Sequence, residues 1–305
     1  TVAGLATSLG SRAMTNSIAE IGGAATILAI GTNTTQAHPV LALQAKKAAR
    51  EGANLIVANP KEIDLCRHAT IHLQHRPGTD VALVMGMIKV IVDGGLADME
   101  FINSRCENFD AFVDSLAEFD LASVEKITGV PGELISKAAK IYASEGPSSI
   151  LYCMGITQHC HGTDNVWSLS NLALVTGNLG KASAGVNPLR GQNNVQGASD
   201  AGLIPMMYPD YQGVELASAR EQFELAWNTS LNPEPGLTVV EIMHAIHAGD
   251  IRAMYILGEN PAMSDPDLTN ARAALARLGH LVVQDLFLTE SARRADVVLP
   301  AVSWV

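Results

Sequence analysis

Short apolar runs closed by small or polar residues recur along the chain. TILAIG at 26–31 runs into TNTTQAHP, a buried strand followed by a loop. Pro39 opens a helix to about Ala49, and Lys46, Lys47 and Arg50 suit its C-terminus. NLIVANP at 54–60 is a second buried strand, and IHLQHRPG at 71–78 starts as a short third one. Thr79 is placed to cap the helix DVALVMGMIKVIVDGG. Helices are predicted over 99–118 and 132–144, a strand over SSILYCMG at 148–155, and a helix over 164–176. Strand, polar loop, helix, strand is the alternation of a parallel α/β sheet, where ligands bind at the carboxyl ends of the strands. Three of these strands end in Gly31-Thr32-Asn33, Asn59-Pro60 and Met154-Gly155.

Residues 177–213 break the pattern. GNLGKASAGVNPLRGQNNVQGASDAGLIPMMYPDYQG is rich in Gly, Asn and Gln with little helical period, and reads as a functional segment rather than a spacer. The pattern then restarts: helices near 218–228 and 237–247, strand AMYILG (253–258), helix 266–278, and strands HLVVQD (280–285) and DVVLP (296–300). A boundary near residue 192 divides the chain into α/β domains over 1–192 and 193–305.

Composition supports a folded enzyme-sized unit. Of 305 residues, 48% are hydrophobic and 17% charged, enough for buried cores and against global disorder. The net charge of −11 comes without a basic patch, which argues against a nucleic-acid partner. No apolar run reaches the ~18–20 residues of a membrane span, so no membrane insertion by this segment is expected. A cytoplasmic location is expected, with an export signal upstream of Thr1 left open. Four cysteines (Cys66, Cys106, Cys153, Cys160) lack C-x-x-C spacing, against a disulfide framework or a self-contained iron–sulfur site. The start at Thr1, and the stop at Trp304-Val305 just after a strand-like run, read as the middle of a longer chain.

Several side chains carry candidate chemistry. Arg190 in LRGQNN offers a planar fork for a carboxylate, and Gln192 with its Asn neighbours adds neutral donors; tying a loop to carbonyls is the plainer alternative. His159 and His161 in QHCHG share a face, but two ligands are not a metal site. His68, His72, His75, His244 and His247 read as solvated or partly buried faces. Asn33-Thr34-Thr35 matches a glycosylation sequon by chance. LGENP (257–261) and QDLFLTE (284–290) place acids just after apolar strands, where they suit a guanine edge and ribose hydroxyls. No G-x-G-x-x-G or P-loop lysine is present.

The run NLALVTGNLGKASAGVNPLRGQNNVQGASDAGLIPMMYPDYQ resembles formate dehydrogenase alpha subunits of the molybdopterin oxidoreductase superfamily. So do TVAGLATSLGSRAMTNSIAEI, MGITQHCHGTDNVWS and VVQDLFLTESARRADVVLPAVSW, so the resemblance covers essentially the whole chain. It implies two Rossmann-like, three-layer α/β domains with mostly parallel sheets, the second incomplete because the family completes it with upstream sequence. It implies a molybdenum or tungsten bis(molybdopterin guanine dinucleotide) cofactor and formate as substrate. A [4Fe–4S] cluster, the metal-ligating Cys or selenocysteine and its His are expected upstream of Thr1, and electron-transfer subunits or a redox carrier as partners.

Site residues follow by position. Arg190 matches the substrate-binding arginine and Gln192 its neighbour near the metal. Gly31, Asn33 and His38 match the first cofactor loop; Asn59, Lys61, Gly78 and Asp80 match loops around one guanosine; Gly155 and Gln158 match the next strand's loop. Gly258, Glu259, Asn260, Gln284, Asp285 and Thr289 match loops on the other dinucleotide. No metal ligand is expected in this stretch. Ser199 and Ala201 depart from the family's usual QGACDMG, with no loss of activity expected. Two other readings stay open: a nitrate reductase-like member, and a non-catalytic homologue such as the large subunit of NADH:quinone oxidoreductase.

Overall fold

The first strand, β1 (Thr26–Ile30), is buried along its whole length. In a computed structural model, which describes residues 1–10 and 13–303, β1 lies at the centre of a five-stranded sheet. Trp304 and Val305, which close the chain, lie outside the described residues. The other strands are β2 (Asn54–Ala58), β3 (Ile71–Leu73), β4 (Ser148–Tyr152) and β5 (Gly185–Pro188), in the order β3-β2-β1-β4-β5. All neighbours run parallel. The order reverses between β1 and β4, which makes their carboxyl ends the switch point where α/β sheets bind ligands.

Two compact units divide the chain, Thr1–Asn193 and Asn194–Val305. In the first, strand residues alternate between two cores. Ile27, Ala29, Leu55, Val57 and Leu151 face the helix Pro39–Arg50, which contributes Leu41, Ala45 and Ala48. Leu28, Ile30, Ile56, Ile150 and Val186 face the helices Asp80–Asp93, Gly132–Ser144 and Gly162–Val175. Burial on both faces explains why these strands read as unbroken apolar runs.

Departures from the sequence reading have local causes. β5 was hidden in the glycine-rich segment because GVNP has little apolar content; Asn187 is satisfied inside the sheet by donating to Ser149 Oγ at 2.9 Å and accepting from Asn16 N–H at 3.3 Å. The span 99–118 is broken into Met99–Arg105, Phe109–Ser115 and a 3-10 turn, with Asn108 left-handed between the first two. Val2–Leu9 and Leu121–Thr128 are helices the pattern did not predict. Gly4 of the former is small enough to lie against Val166, where a Cβ would come within 2.7 Å. Thr79 stands at the start of its helix, but its hydroxyl donates backwards to Arg76 O at 2.7 Å instead of capping. A further helical turn, Thr34–Ala37, occupies the loop after β1.

The second unit opens with a short helix, Val195–Asp200, followed by a short antiparallel hairpin, β6 (Met207–Tyr208) and β7 (Gln212–Gly213). Tyr208 and Trp227 each lie near Phe223, with ring centroids at 4.9 Å. Its main sheet is parallel, in the order β10-β9-β8, with β8 (Ala253–Leu257), β9 (His280–Asp285) and β10 (Val297–Pro300). One face packs Ile256, Leu281 and Val283 against Ala262, Leu275 and Ala292. The other face is bare: Tyr255 is 53% and Leu257 65% exposed, and Val297 and Leu299 about 40%. Helices therefore cover both faces of the first sheet and one face of the second. No helix among the described residues is long and apolar enough to cross a membrane.

Candidate active site

The loops leaving β1, β2, β4 and β5 gather on the carboxyl rim of the first sheet. Gly31 sits at φ +57, donates to Ala58 O and accepts from Gly155 N–H at 3.0 Å. A Cβ on Gly31 would lie 2.8 Å from the Gly155 main chain, and one on Gly155 would lie 2.5 Å from Gly31 O. Only two glycines let the β1 and β4 loops meet at this distance.

The β1 loop then buries polar groups without pairing them. Thr32 Oγ1, Asn33 Oδ1, Thr34 Oγ1, Thr35 Oγ1 and His38 Nδ1 are buried and have no hydrogen-bond partner among the described residues. Buried threonines elsewhere in this unit turn their hydroxyls back onto carbonyls: Thr128 onto Val124 at 2.7 Å, and Thr176 onto Leu172 at 2.8 Å. An unpaired buried polar group costs about 1–3 kcal/mol. Five in one loop form a cradle with a standing demand for a polar ligand. Thr34 and Thr35 were missed in the sequence, and Thr32 was read only as part of a strand end. The signal of Thr34 and Thr35 was the run NTT two residues after a buried strand, set aside as a chance sequon.

His38 reaches across to the β5 exit, where its Nε2 bonds Arg190 O at 2.5 Å. Arg190 is half-buried, and Gln192, two residues on, is exposed. Its charge is felt by its surroundings. Burial pushes the Tyr152 phenol up, against smaller downward pulls from Thr1 beside it and from Arg190. Burial first, then Arg190, holds the Thr1 amine below its ordinary value.

The β2 and β3 exits complete the rim. Asn59 accepts from Lys61 N–H at 3.0 Å through Oδ1 and bonds His72 Nε2 through its carbonyl at 3.1 Å; Lys61 points its charge to solvent. Asp80 is not an open acceptor. Its Oδ1 is 2.9 Å from His75 Nε2, and both side chains are more than nine-tenths buried. His75 is therefore a core residue, not the solvated or half-covered one its sequence context suggested. Gly78, at φ +80, lines a cavity of about 510 Å³ with His159, Cys160 and His161. Gln158 is exposed beside it in sequence. Among the described residues no group of His, Cys, Asp and Glu is arranged to hold a metal ion.

In the second unit the corresponding loops follow β8 and β9. Gly258, at φ +66, donates to Gln284 O at 2.9 Å, and Glu259 is exposed. Asn260 is fully engaged: Nδ2 donates to Glu290 at 2.7 Å, while Oδ1 accepts from Ser291 N–H at 3.0 Å and Ser291 Oγ at 2.8 Å. Gln284 accepts from the Tyr255 hydroxyl, Asp285 from Leu286 N–H at 2.7 Å, and Thr289 Oγ1 from Ala292 N–H at 3.3 Å. Asn260 and Thr289 thus act first as loop ties, while Glu259 is exposed and Asp285 half-buried.

The chain is 48% identical over 304 residues to the F420-dependent formate dehydrogenase subunit alpha of Methanocaldococcus jannaschii, covering 100% of this chain and 45% of that one. It is 42% identical over 304 residues to formate dehydrogenase H of Escherichia coli, covering 99% of this chain and 42% of that protein. The chain therefore spans less than half the length of these relatives. Among solved structures, acetylene hydratase from Pelobacter acetylenicus superposes with a TM-score of 0.77 at 24% identity, over 99% of this chain and 44% of that one, a likeness of fold. Residues 3–305 match the family model described as molybdopterin oxidoreductase. With a rim whose buried oxygens and nitrogen lack partners, the chain belongs to the molybdopterin oxidoreductase family, which implies a molybdenum or tungsten pterin cofactor.

Proposed function

We propose that this chain is the central part of a formate dehydrogenase that oxidises formate to carbon dioxide reversibly, with a bis(molybdopterin guanine dinucleotide) cofactor. The observation that carries the reading is the unpaired polar cradle of the β1 loop, tied by His38 to the loop that presents Arg190. Its buried oxygens and ring nitrogen fit a group rich in phosphate, hydroxyl and N–H. Gly31, Thr32, Asn33, Thr34, Thr35 and His38, with Asn59, Lys61, Gly78, Gly155 and Gln158, would hold one dinucleotide, with Asp80 behind them as the buried partner of His75. Gly258, Glu259, Asn260, Gln284, Asp285 and Thr289 would hold the other. When bound, the pterin metal centre supplies the two-electron redox chemistry.

The chain's own contribution is grip and orientation. The Arg190 guanidinium holds the formate carboxylate with two parallel hydrogen bonds and so fixes the direction of the C–H bond. Gln192 adds a neutral amide to the same mouth. The buried Tyr152 phenol, pushed up by its surroundings, stays protonated and adds no negative charge near the anion. The relatives' designation as alpha subunits supports further subunits, read here as electron-transfer partners alongside or in place of a redox carrier. A [4Fe–4S] cluster on upstream sequence is part of the proposal and rests on the resemblance alone.

Arg190→Lys in the full-length enzyme tests this. Losing the fork costs roughly 2–3 kcal/mol, so kcat/KM for formate should fall about 30- to 160-fold while metal content is kept. Unchanged formate turnover per bound metal would overturn the role.

A further inference from the structure

Two consecutive carbonyls at the exit of β5 are gripped from the exits of β4 and β1. Cys153 Sγ, just after β4, donates to Leu189 O at 2.9 Å. His38 Nε2, at the end of the β1 loop, donates to Arg190 O at 2.5 Å. A main-chain carbonyl only accepts, so Nε2 carries the ring proton, and in the neutral imidazole Nδ1 is left as an acceptor. That Nδ1 is buried without a partner among the described residues, in the same loop as the unpaired Thr32, Asn33, Thr34 and Thr35 oxygens. In that loop Thr32 is 4% and Thr34 0% exposed. One rigid ring therefore has one nitrogen committed to the arginine's main chain and the other open to whatever N–H or O–H fills the cradle.

We infer that His38 is a positioning residue that couples filling of the β1 cradle to the grip of Arg190 on the substrate carboxylate. The inference rests on the formate reading above and adds a residue to it. The held carbonyl belongs to Arg190 itself, so a tilt of the ring moves the arginine's Cα directly. Displacements of about 1 Å are enough to spoil a two-point grip. The Cys153 contact holds the preceding carbonyl, leaving the His38 bond to fix the orientation of the last peptide before Gly191.

Two isosteres separate the two ring nitrogens. His38→Gln places an amide N–H near the Nε2 position and keeps the bond to Arg190 O, but removes the Nδ1 acceptor. His38→Asn places its amide near Nδ1 and loses that bond. Full-length holoenzymes of both, and of Arg190→Lys, are assayed for formate KM and kcat per bound metal. Metal and pterin content per polypeptide and the formate-induced shift in thermal unfolding are read alongside. His38→Asn should raise formate KM roughly tenfold and shrink the formate-induced thermal shift, with cofactor content near the parent's. His38→Gln should keep formate KM within about twofold of the parent's while cofactor content falls. The inference is overturned if the two variants share one KM, or if only cofactor content responds in both. If His38→Asn does not fold, the KM of His38→Gln still decides, since a tenfold rise there contradicts the assignment. A weakened Arg190→Lys beside an unaffected His38→Asn rejects the coupling alone. An unaffected Arg190→Lys rejects the formate reading, and the coupling with it.

Discussion

The exits of β1 and of β8 are both polar loops after an apolar strand, and their hydrogen-bonding states are opposite. After β1, hydroxyls and a ring nitrogen are buried unpaired, and the loop bonds outward to the β4 and β5 exits. After β8, Asn260 spends its whole amide on Ser291 and Glu290, so that rim is satisfied from within. The sheets beneath differ in the same sense. β1 is covered on both faces, whereas β8 and β10 expose Tyr255, Leu257, Val297 and Leu299. The difference teaches where free energy is stored. In the first unit a deeply packed sheet carries the cost of several unpaired groups at its edge. In the second a thinner core supports loops that must hold themselves.

The largest effect that would break this comparison is in the sheets. Leu28 is fully buried and Leu299 is 41% exposed. Leu28→Ala should destabilise the first unit by about 2–5 kcal/mol through lost burial and the cavity left behind. Leu299→Ala should stay within about 0.5 kcal/mol. Hydrogen exchange of the two sheets' strand amides reads each separately. Equal loss of protection from both substitutions would mean that the exposed face of the second sheet is not a face at all.

Next come the two rim glycines, which share a left-handed backbone but not their surroundings. A Cβ on Gly31 meets the Gly155 main chain at 2.8 Å, whereas one on Gly258 meets nothing within 4 Å. Gly258→Ala bears only the left-handed penalty of about 1–2 kcal/mol. Gly31→Ala adds overpacking of about 1–3 kcal/mol against main chain that cannot swing aside. Metal and pterin content of the full-length protein should therefore drop severalfold further in Gly31→Ala than in Gly258→Ala. Equal retention in both would show that the close approach of the β1 and β4 loops does not shape the cradle.

How much of this was legible in the sequence depended on where each signal resides. TILAI, NLIVA and SSILY announced themselves because strands buried on both faces need continuous apolar runs. GVNP did not, because β5 is held by backbone pairing and by the Asn187–Ser149 bond, neither of which leaves a hydrophobic pattern. Arg190 stood out as a candidate from its amide-rich setting and from family resemblance, and the fold places it at the β5 exit on the carboxyl rim. The unpaired state of Thr32, Thr34 and Thr35 was not, since a missing partner is a property of tertiary packing. The His75–Asp80 pair was hidden for the same reason: five residues apart, the two meet only because the chain turns between β3 and its helix.

The smallest effect lies in the self-satisfied rim, and it carries a pH signature. Asn260→Ala leaves the buried Ser291 N–H and hydroxyl without their acceptor, at about 1–2 kcal/mol. It also frees Glu290. In the parent the Asn260 amide is the main cause holding the Glu290 carboxyl below its usual range, with Arg293 and Arg272 adding less. A carboxyl whose folded value is depressed contributes stability above its unfolded value, and that contribution is lost as pH falls through the folded one. The parent should therefore lose stability on acidification below about pH 4.5, the ordinary value of the group, more steeply than Asn260→Ala does. Carboxyl titration of Glu290 by NMR reads the cause directly, and the variant's midpoint should move up toward the ordinary glutamate value. If the midpoint stays where the parent has it, the arginines and the local backbone hold Glu290 without Asn260. The Asn260–Glu290 bond would then add nothing to the Ser291 and Gly258–Gln284 ties between the β8 and β9 exits, and the contrast with the β1 loop would rest on those ties alone.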